Sequence, residues 1–198
     1  MNRLNRDLFF KGFRKYLSAS IPEEQAERIW TEAGKEYNRI LKERPDLKKH
    51  KGAMVLPAAA LYRLMTAHNA DPEILLKYGE KMGKRFAGLV HMITGIPGVS
   101  RFIWKNAENL CTKMSSEKMG YRRRLVSEPP DMYGVDILSC PYHELAKELG
   151  TEEAVLCICR LDKEYSKGFR KIRYDRNSAL PEGAECCEYR LRFDEKKN

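Results

Sequence analysis

Through the first half of the chain, apolar residues recur with the 3.6-residue period of amphipathic helices. The longest such pattern runs from Ser20 to about Lys42, with polar residues between the apolar ones. Its apolar positions are Ala26, Ile29, Trp30, Ala33, Tyr37, Ile40 and Leu41. The spacing from Ser20 to Glu23, with Pro22 between them, predicts a helix start with a capping box. A shorter basic helix is predicted before it, over residues 4–17.

Three further helices are predicted before residue 112. The pattern indicates a third helix over about 57–68 and a fourth that Asp71-Pro72-Glu73 begins and Gly95 and Pro97 end. A fifth helix is predicted from Phe102, Ile103 and Leu110. The front of the chain is therefore expected to be helical.

After Cys111 the pattern changes to strands and turns. Residues 120–127 and 132–139 are predicted to pair as antiparallel strands across the turn-rich spacer 128–131, and residues 169–176 and 185–193 to form a second pair. Between the pairs, 141–150 predicts a short helix, and 151–168 predicts a longer one that Thr151 is expected to cap. A strand over 154–161 is the competing interpretation, because Val-Leu-Cys-Ile-Cys is locally strand-like.

The fold predicted from these elements is α+β. An N-terminal helical layer is expected to pack on a small, mostly antiparallel C-terminal sheet. We expect a single domain over 1–198, in which 1–112 is the helical part and 113–198 the α+β part that carries the motifs.

Composition narrows the classes of function. No apolar run approaches the about 18 residues of a spanning helix, and the N-terminus lacks the apolar core of a signal peptide, so we expect a cytoplasmic protein without stable membrane association. The six cysteines are then expected to be reduced.

The net charge of +9 raises the question of whether the protein binds nucleic acid. The basic residues are interpreted as spread along the chain, and strand alternation would divide Arg122-Arg123-Arg124 between two faces. No nucleic-acid partner is predicted, and assembly into a homo-oligomer stays open.

Polar and thiol residues cluster in three short motifs of the last third. They are Cys140-Pro141-Tyr142-His143, Cys159-Arg160-Leu161-Asp162, and the stretch from Gly183 through Cys187 to Tyr189. On a helix, Cys159 and Asp162 would be neighbours at i and i+3. Glycine-rich phosphate loops, serine nucleophile elbows and His-Glu-x-x-His zinc helices are absent from the sequence.

In order and spacing, these motifs resemble the L-2-amino-thiazoline-4-carboxylic acid hydrolase family. The resemblance covers about 136–193 closely and about 20–110 more loosely. The family often has an acidic residue after the motif glycine, where this chain has Ala184, and Cys186 is an additional thiol. The departure weakens the transfer of substrate more than the transfer of fold.

The resemblance implies a hydrolase that opens a cyclic C–N or C=N bond of a small sulfur heterocycle, such as L-2-amino-thiazoline-4-carboxylate, a cyclic amidine. The expected catalytic residues are Cys140, His143, Cys159, Asp162 and Cys187. The expected substrate-binding residues are Tyr142, Arg170 and Tyr189. The basic residues along this strand, Lys171, Arg173 and Arg176, are interpreted with Arg170 as a solvated strand face from which one arginine can still bind a substrate carboxylate.

Two mechanisms stay open at this point. In the first, the thiolate of Cys140 or Cys159 attacks the amidine-like carbon while His143 or Asp162 moves the proton, which requires a lowered thiol pKa. In the second, Cys140, Cys159 and Cys187, with His143, hold a divalent metal such as zinc or manganese that activates water. A non-catalytic module that binds a small molecule or zinc is the alternative function, since domains of the vinyl reductase type end in a similar Gly-x-x-x-Cys-x-aromatic signature.

Overall fold

The computed structural model describes residues 2–127 and 132–197. Within these ranges the α-helices are α1 Phe13–Ser18, α2 Glu23–Glu43, α3 Leu56–Ala67, α4 Glu73–Thr94, α5 Val99–Lys105, α6 Ala107–Met114, α7 Pro141–Glu148 and α8 Leu156–Tyr165. The strands are β1 Arg122–Ser127, β2 Tyr133–Ser139, β3 Ile172–Arg176 and β4 Cys187–Phe193. The predicted α+β class, with a helical front and a small antiparallel sheet at the C-terminal end, is confirmed. The predicted spacer 128–131 lies outside the described residues.

Several local predictions differ from the structure. The basic helix predicted over 4–17 forms only as α1, after a 3-10 turn at Arg3–Arg6. Helix α2 begins after Pro22 without a capping box, because the Ser20 hydroxyl donates to the Tyr16 carbonyl of the preceding turn at 2.9 Å. The predicted fifth helix is two helices, α5 and α6, that meet at Asn106. Thr151 likewise does not cap the segment that follows it, since its hydroxyl donates back to Ala146. The competing strand over 154–161 is wrong, and the predicted helix forms there as α8.

The sheet has the strand order β1-β2-β4-β3, and all neighbouring strands are antiparallel. Both predicted strand pairs are therefore confirmed, and the second pair joins the first through β4. Side chains that pair across β2 and β4 share a face, so Ile137 lies opposite Cys187 and Val135 opposite Tyr189. This inner face of the sheet continues onto β3, where Arg176 pairs with Tyr189.

The opposite face of the sheet carries an ion-pair network centred on Asp136. This buried carboxylate accepts hydrogen bonds from Arg124 and Arg190, each at 2.8 Å. Burial alone would raise the pKa of Asp136, but the two arginines outweigh it and the pKa is lowered. Arg124 thus has a structural role on one face, while Arg123 points to the other face and donates to Tyr133.

Two glycines of α4 let α8 lie directly against it. A Cβ at Gly79 would come within 2.2 Å of the Cys157 carbonyl oxygen, and one at Gly83 within 2.5 Å of the Leu161 oxygen. Any larger side chain would force the helices apart, because backbone cannot yield locally. Since Cys157 faces α4, Cys159 lies on a different side of α8, where it packs in another core cluster. Close packing of two helices therefore sets the position of the second motif.

Candidate functional site

The three cysteine motifs meet where α7, α8 and β4 converge. Cys140 directly precedes α7, Cys159 lies within α8, and Cys187 is the first residue of β4. Burial raises the pKa of Cys159 to about 12; Arg176 opposes this shift, whereas Cys140 and Cys187 add to it, which shows that these groups lie close together. The structure thus brings together three of the predicted catalytic residues from distant parts of the sequence.

Cys140 occupies the N-terminal end of α7. Its backbone is extended at φ −119° and ψ 124°, the conformation of a residue that caps a helix, and Pro141 then begins the helix. The backbone N–H groups of Tyr142 and His143 and the hydroxyl of Tyr121 act on the thiol and lower its pKa. Burial outweighs them, so the pKa of Cys140 is raised overall.

Cys187 is held by the turn that precedes β4. Gly183 has φ 85°, a left-handed conformation that side chains rarely adopt, and it ends the short 3-10 turn Leu180–Glu182. This turn directs the Leu180 N–H onto Cys187 Sγ at 3.3 Å. The glycine and the cysteine of the third motif are therefore parts of one local structure.

Asp162 and Arg176 form the polar centre of the site. The Tyr174 hydroxyl donates to Asp162 Oδ2 at 2.8 Å, and Arg176 Nη1 lies 4.0 Å from the same oxygen. Burial raises the pKa of Asp162, and the Tyr174 hydrogen bond, the Arg176 charge and a hydrogen bond from Tyr165 lower it by less. Asp162 is thus a carboxyl group of raised pKa with its hydrogen-bond donors already arranged.

Solvent reaches one member of this pair and hardly reaches the other. The Asp162 side chain keeps 29% of its surface accessible, and burial is the largest cause of its pKa shift. We call the place where Asp162 meets solvent, with the cysteines and tyrosines around it, the crevice. The Arg176 side chain behind it keeps only 4%. Arg176 Nη1 has no hydrogen-bond partner among residues 2–127 and 132–197. A buried guanidinium donor without a partner is unusual and suits an anionic ligand group.

Aromatic rings surround the centre. Tyr174 and Tyr189 meet edge to face with ring centroids 5.6 Å apart, and Tyr121 and Tyr142 do so at 6.3 Å. Burial raises the pKa of Tyr189, and the charge of Asp162 raises it further, so its hydroxyl stays protonated at neutral pH. These tyrosines can therefore donate hydrogen bonds to a ligand but not act as bases.

Two predicted site residues lie elsewhere. The His143 ring forms a 2.7 Å hydrogen bond with Glu152, so the backbone of this residue, and not its imidazole, reaches Cys140. Arg170 packs against α4, where its Nε donates to His91 Nε2 at 3.1 Å. The physical reason is the same in both cases, because each side chain has a partner that draws it away from the crevice.

Sequence reasoning missed Arg176, Tyr174 and Tyr165. The interpretation of Arg176 as part of a solvated strand face is wrong. On β3, Ile172, Tyr174 and Arg176 alternate, and Ile172 is buried. Strand periodicity was the signal that could have found Arg176, since an apolar residue four positions earlier predicts an inward-facing side chain.

The described residues fit a metal poorly at the predicted position. Zinc–sulfur bonds of about 2.3 Å would place tetrahedral ligand atoms about 3.8 Å apart. Among residues 2–127 and 132–197, three ligand atoms lie within 4.8 Å of one another only at Asp136, Cys186 and Glu188. Both oxygens of Asp136 already accept arginine hydrogen bonds. Neither this group nor the three predicted cysteines therefore has a free, closed set of ligands.

Comparison with known proteins bears on the identity of these motifs. Residues 48–191 match the family described as L-2-amino-thiazoline-4-carboxylic acid hydrolase, and this range includes the whole crevice. The chain belongs to this family. The resemblance of the three motifs to this family is thus confirmed. The role of each motif residue stays a prediction.

More distant likenesses add nothing to this assignment. No curated protein matches the chain significantly. Among solved structures, a trafficking protein particle complex subunit 3 from Naegleria fowleri, covalently bound to palmitic acid, aligns with a TM-score of 0.41 and 14% identity, over 76% of this chain and 99% of that one. A likeness this weak carries no argument about this family member.

Proposed function

We propose that this chain is a hydrolase that opens the ring of a small sulfur-containing cyclic amidine bearing a carboxylate, such as L-2-amino-thiazoline-4-carboxylate. The observation that carries the proposal is the accessible Asp162 carboxylate beside the buried, unpartnered Nη1 of Arg176. Family membership supports the same chemistry.

The charges of the crevice match such a substrate. A 2-amino-thiazoline acid has a basic amidine-like carbon–nitrogen system and a carboxylate only a few bonds away. Arg176 offers the carboxylate a charged N–H donor, and Asp162 offers the amidine a negative partner. Because Asp162 and Arg176 lie 4.0 Å apart and compensate each other, a ligand that carries both charges keeps the site neutral, whereas a ligand with one charge would add a charge without compensation.

Asp162 acts as the general base in this mechanism. Its carboxylate takes a proton from water while the water oxygen bonds to the amidine carbon and the ring C=N electron pair moves to nitrogen. The proton then passes from Asp162 to that ring nitrogen. The new hydroxyl group next gives its proton, through Asp162, to the same nitrogen as the C=O bond forms and the ring carbon–nitrogen bond breaks, which leaves a neutral amine and a carbonyl group. The reaction consumes one water molecule, and its atoms and electrons balance without an oxidant or a metal.

The cysteines serve binding in this mechanism more than attack. Burial raises the pKa of Cys140 and Cys187, and that of Cys159 to about 12, so each is a neutral thiol at pH 7. The thiolate mechanism required a lowered pKa, and the structure gives the opposite direction. Neutral thiols and tyrosines are a polarizable lining that suits a ring sulfur.

The direct test is ring opening of L-2-amino-thiazoline-4-carboxylate by the purified full chain, followed by NMR. We expect turnover that a chelator does not reduce and that Arg176→Met lowers mainly by raising KM. Arg170→Met is the matched control, since it removes an arginine that lies against His91. No turnover of this acid or related cyclic amidines by a folded protein would refute the proposal. Saturable binding without turnover would favour the non-catalytic module.

A further inference from the structure

The second half of α4 and the helix after it expose large apolar side chains. Met92 keeps 66% of its surface exposed, Ile96 57% and Phe102 68%. Leu89 and Ile93 are also exposed, and with Met92 they lie at i, i+3 and i+4 on one face of α4, while Ile96 follows just after the helix ends. We call these five residues the apolar corner. Clustered exposed apolar residues of this kind mark interaction sites.

The corner is an angular and well-anchored structure. Helices α4 and α5 meet at 102°, and residues 95–98 between them are all exposed, which places Ile96 near the vertex. The buried Thr94 holds the base of the vertex. Its carbonyl accepts from the Ser100 hydroxyl at 3.0 Å, and its hydroxyl accepts from the Arg170 N–H at 3.1 Å. These hydrogen bonds fix the backbone that carries the apolar side chains.

Almost all the net charge of the chain comes from the segment of sequence that contains this corner. Residues 81–127 contain ten Lys or Arg residues and only two acidic ones, a net +8, whereas the whole chain has 37 and 28, a net +9. The charge is therefore far less evenly spread than the sequence analysis predicted. The exposed cations of the segment include Lys81, Lys84, Arg85, Lys105, Lys113 and Lys118.

We propose that the apolar corner docks reversibly onto an anionic lipid bilayer surface. Apolar side chains flanked by Lys and Arg are the combination that binds this surface, since the apolar groups enter the headgroup boundary and the cations attract acidic lipids. Within the described residues, no single helix is long and apolar enough to cross a membrane. The proposed contact is peripheral and reversible. It adds a transient surface contact to the earlier expectation, which was that the protein has no stable membrane association.

Charge argues against the other occupants. A second copy bound through the same corner would bring two strongly positive segments together, and like charges across an interface are repulsive. Nucleic acid would satisfy the cations, but phosphate contacts make no use of exposed Met, Ile and Leu side chains. An anionic bilayer uses both features.

Vesicle co-sedimentation of the full chain tests the proposal. Phosphatidylcholine vesicles with phosphatidylserine should bind the protein, and vesicles of phosphatidylcholine alone should bind it far less. Ile96→Asn combined with Phe102→Asn removes apolar surface without changing charge and should abolish binding. Met54→Asn, at another exposed apolar residue outside the segment, is the control and should bind like the wild type.

A second pair of variants tests the cations. Each Lys or Arg near an anionic surface contributes about 1 kcal/mol, so Lys84→Gln with Arg85→Gln should weaken binding about thirtyfold. Lys11→Gln with Lys15→Gln removes the same charge from an exposed site outside the segment and should have little effect. Equal binding to both vesicle types, no binding, or binding unchanged in the corner variant would overturn the proposal. The proposal would also be overturned if the wild type formed a dimer and did not bind vesicles, and if the corner variant no longer formed that dimer.

Discussion

Replacing Asp162 with Asn separates the proposed general base from the shape of the crevice. The amide is nearly isosteric, and its oxygen can still accept the Tyr174 hydroxyl that lies 2.8 Å away in the wild type. The amide cannot take a proton from water. General-base catalysis contributes about 10²–10⁴-fold, or about 2.7–5.4 kcal/mol of transition-state stabilisation, so kcat should fall within that range.

Asp175→Asn provides the matched control. Asp175 lies on the same β3 strand, keeps 39% of its side-chain surface exposed, and pairs with Arg192 at 3.5 Å. Steady-state ring opening should show kcat near wild type for this variant. If Asp162→Asn retained turnover within a few-fold of wild type while folded by circular dichroism, Asp162 would not be the base.

The pH profile gives an independent test of the same residue. Because burial raises the pKa of Asp162, the carboxylate should be lost at a pH above the ordinary aspartate value of about 3.9. Turnover should fall as the pH drops through that raised pKa, and Asp162→Asn should lack this limb. For stability the sign is opposite: this group favours the folded state at low pH, and its contribution is lost as the pH rises through the folded pKa. An acid limb that persists unchanged in the Asn variant would assign it to another group.

Three further outcomes are expected. Arg176→Met should raise KM at least tenfold and change kcat less, whereas Arg170→Met should leave both near wild type; equal effects would remove Arg176 from substrate binding. Cys140→Ser should retain turnover within about tenfold, since water is the nucleophile, and abolished turnover with an intact fold would restore the thiolate mechanism. Asp136→Ala should lower the free energy of unfolding by about 3–5 kcal/mol in urea, because it leaves the partly buried guanidinium of Arg190 without its carboxylate partner, and a change below 1 kcal/mol would contradict that account.

Local pattern was sufficient to predict most of the secondary structure. The long helices α2 and α4 follow from apolar periodicity, and the strand pairs follow from alternation between turn residues. Pattern failed where another side chain decided the outcome. The hydroxyl of Ser20 bonds backward instead of capping α2, and the chain after Gly98 divides into two helices at Asn106.

The candidate site was predictable only in part, for a physical reason. Motif spacing singled out Cys140, Cys159 and Cys187, and the structure places the three near one another, while their role stays a prediction. It could not show that Glu152 holds the ring of His143, because that contact depends on how the turn after α7 folds. Arg176 lies in no motif, and only its pairing with Tyr189 across β3 and β4 brings it to the crevice.

Burial has opposite consequences for the two kinds of candidate group in this crevice. For a thiol such as Cys159, desolvation raises the pKa to about 12 and so removes the thiolate that would attack. For Asp162, desolvation also raises the pKa, but a carboxylate of higher pKa is a stronger base, and its pKa moves toward the working pH. One environment thus disfavours a cysteine nucleophile and favours a carboxylate base. Activation of water by Asp162 is therefore the mechanism that this crevice supports best.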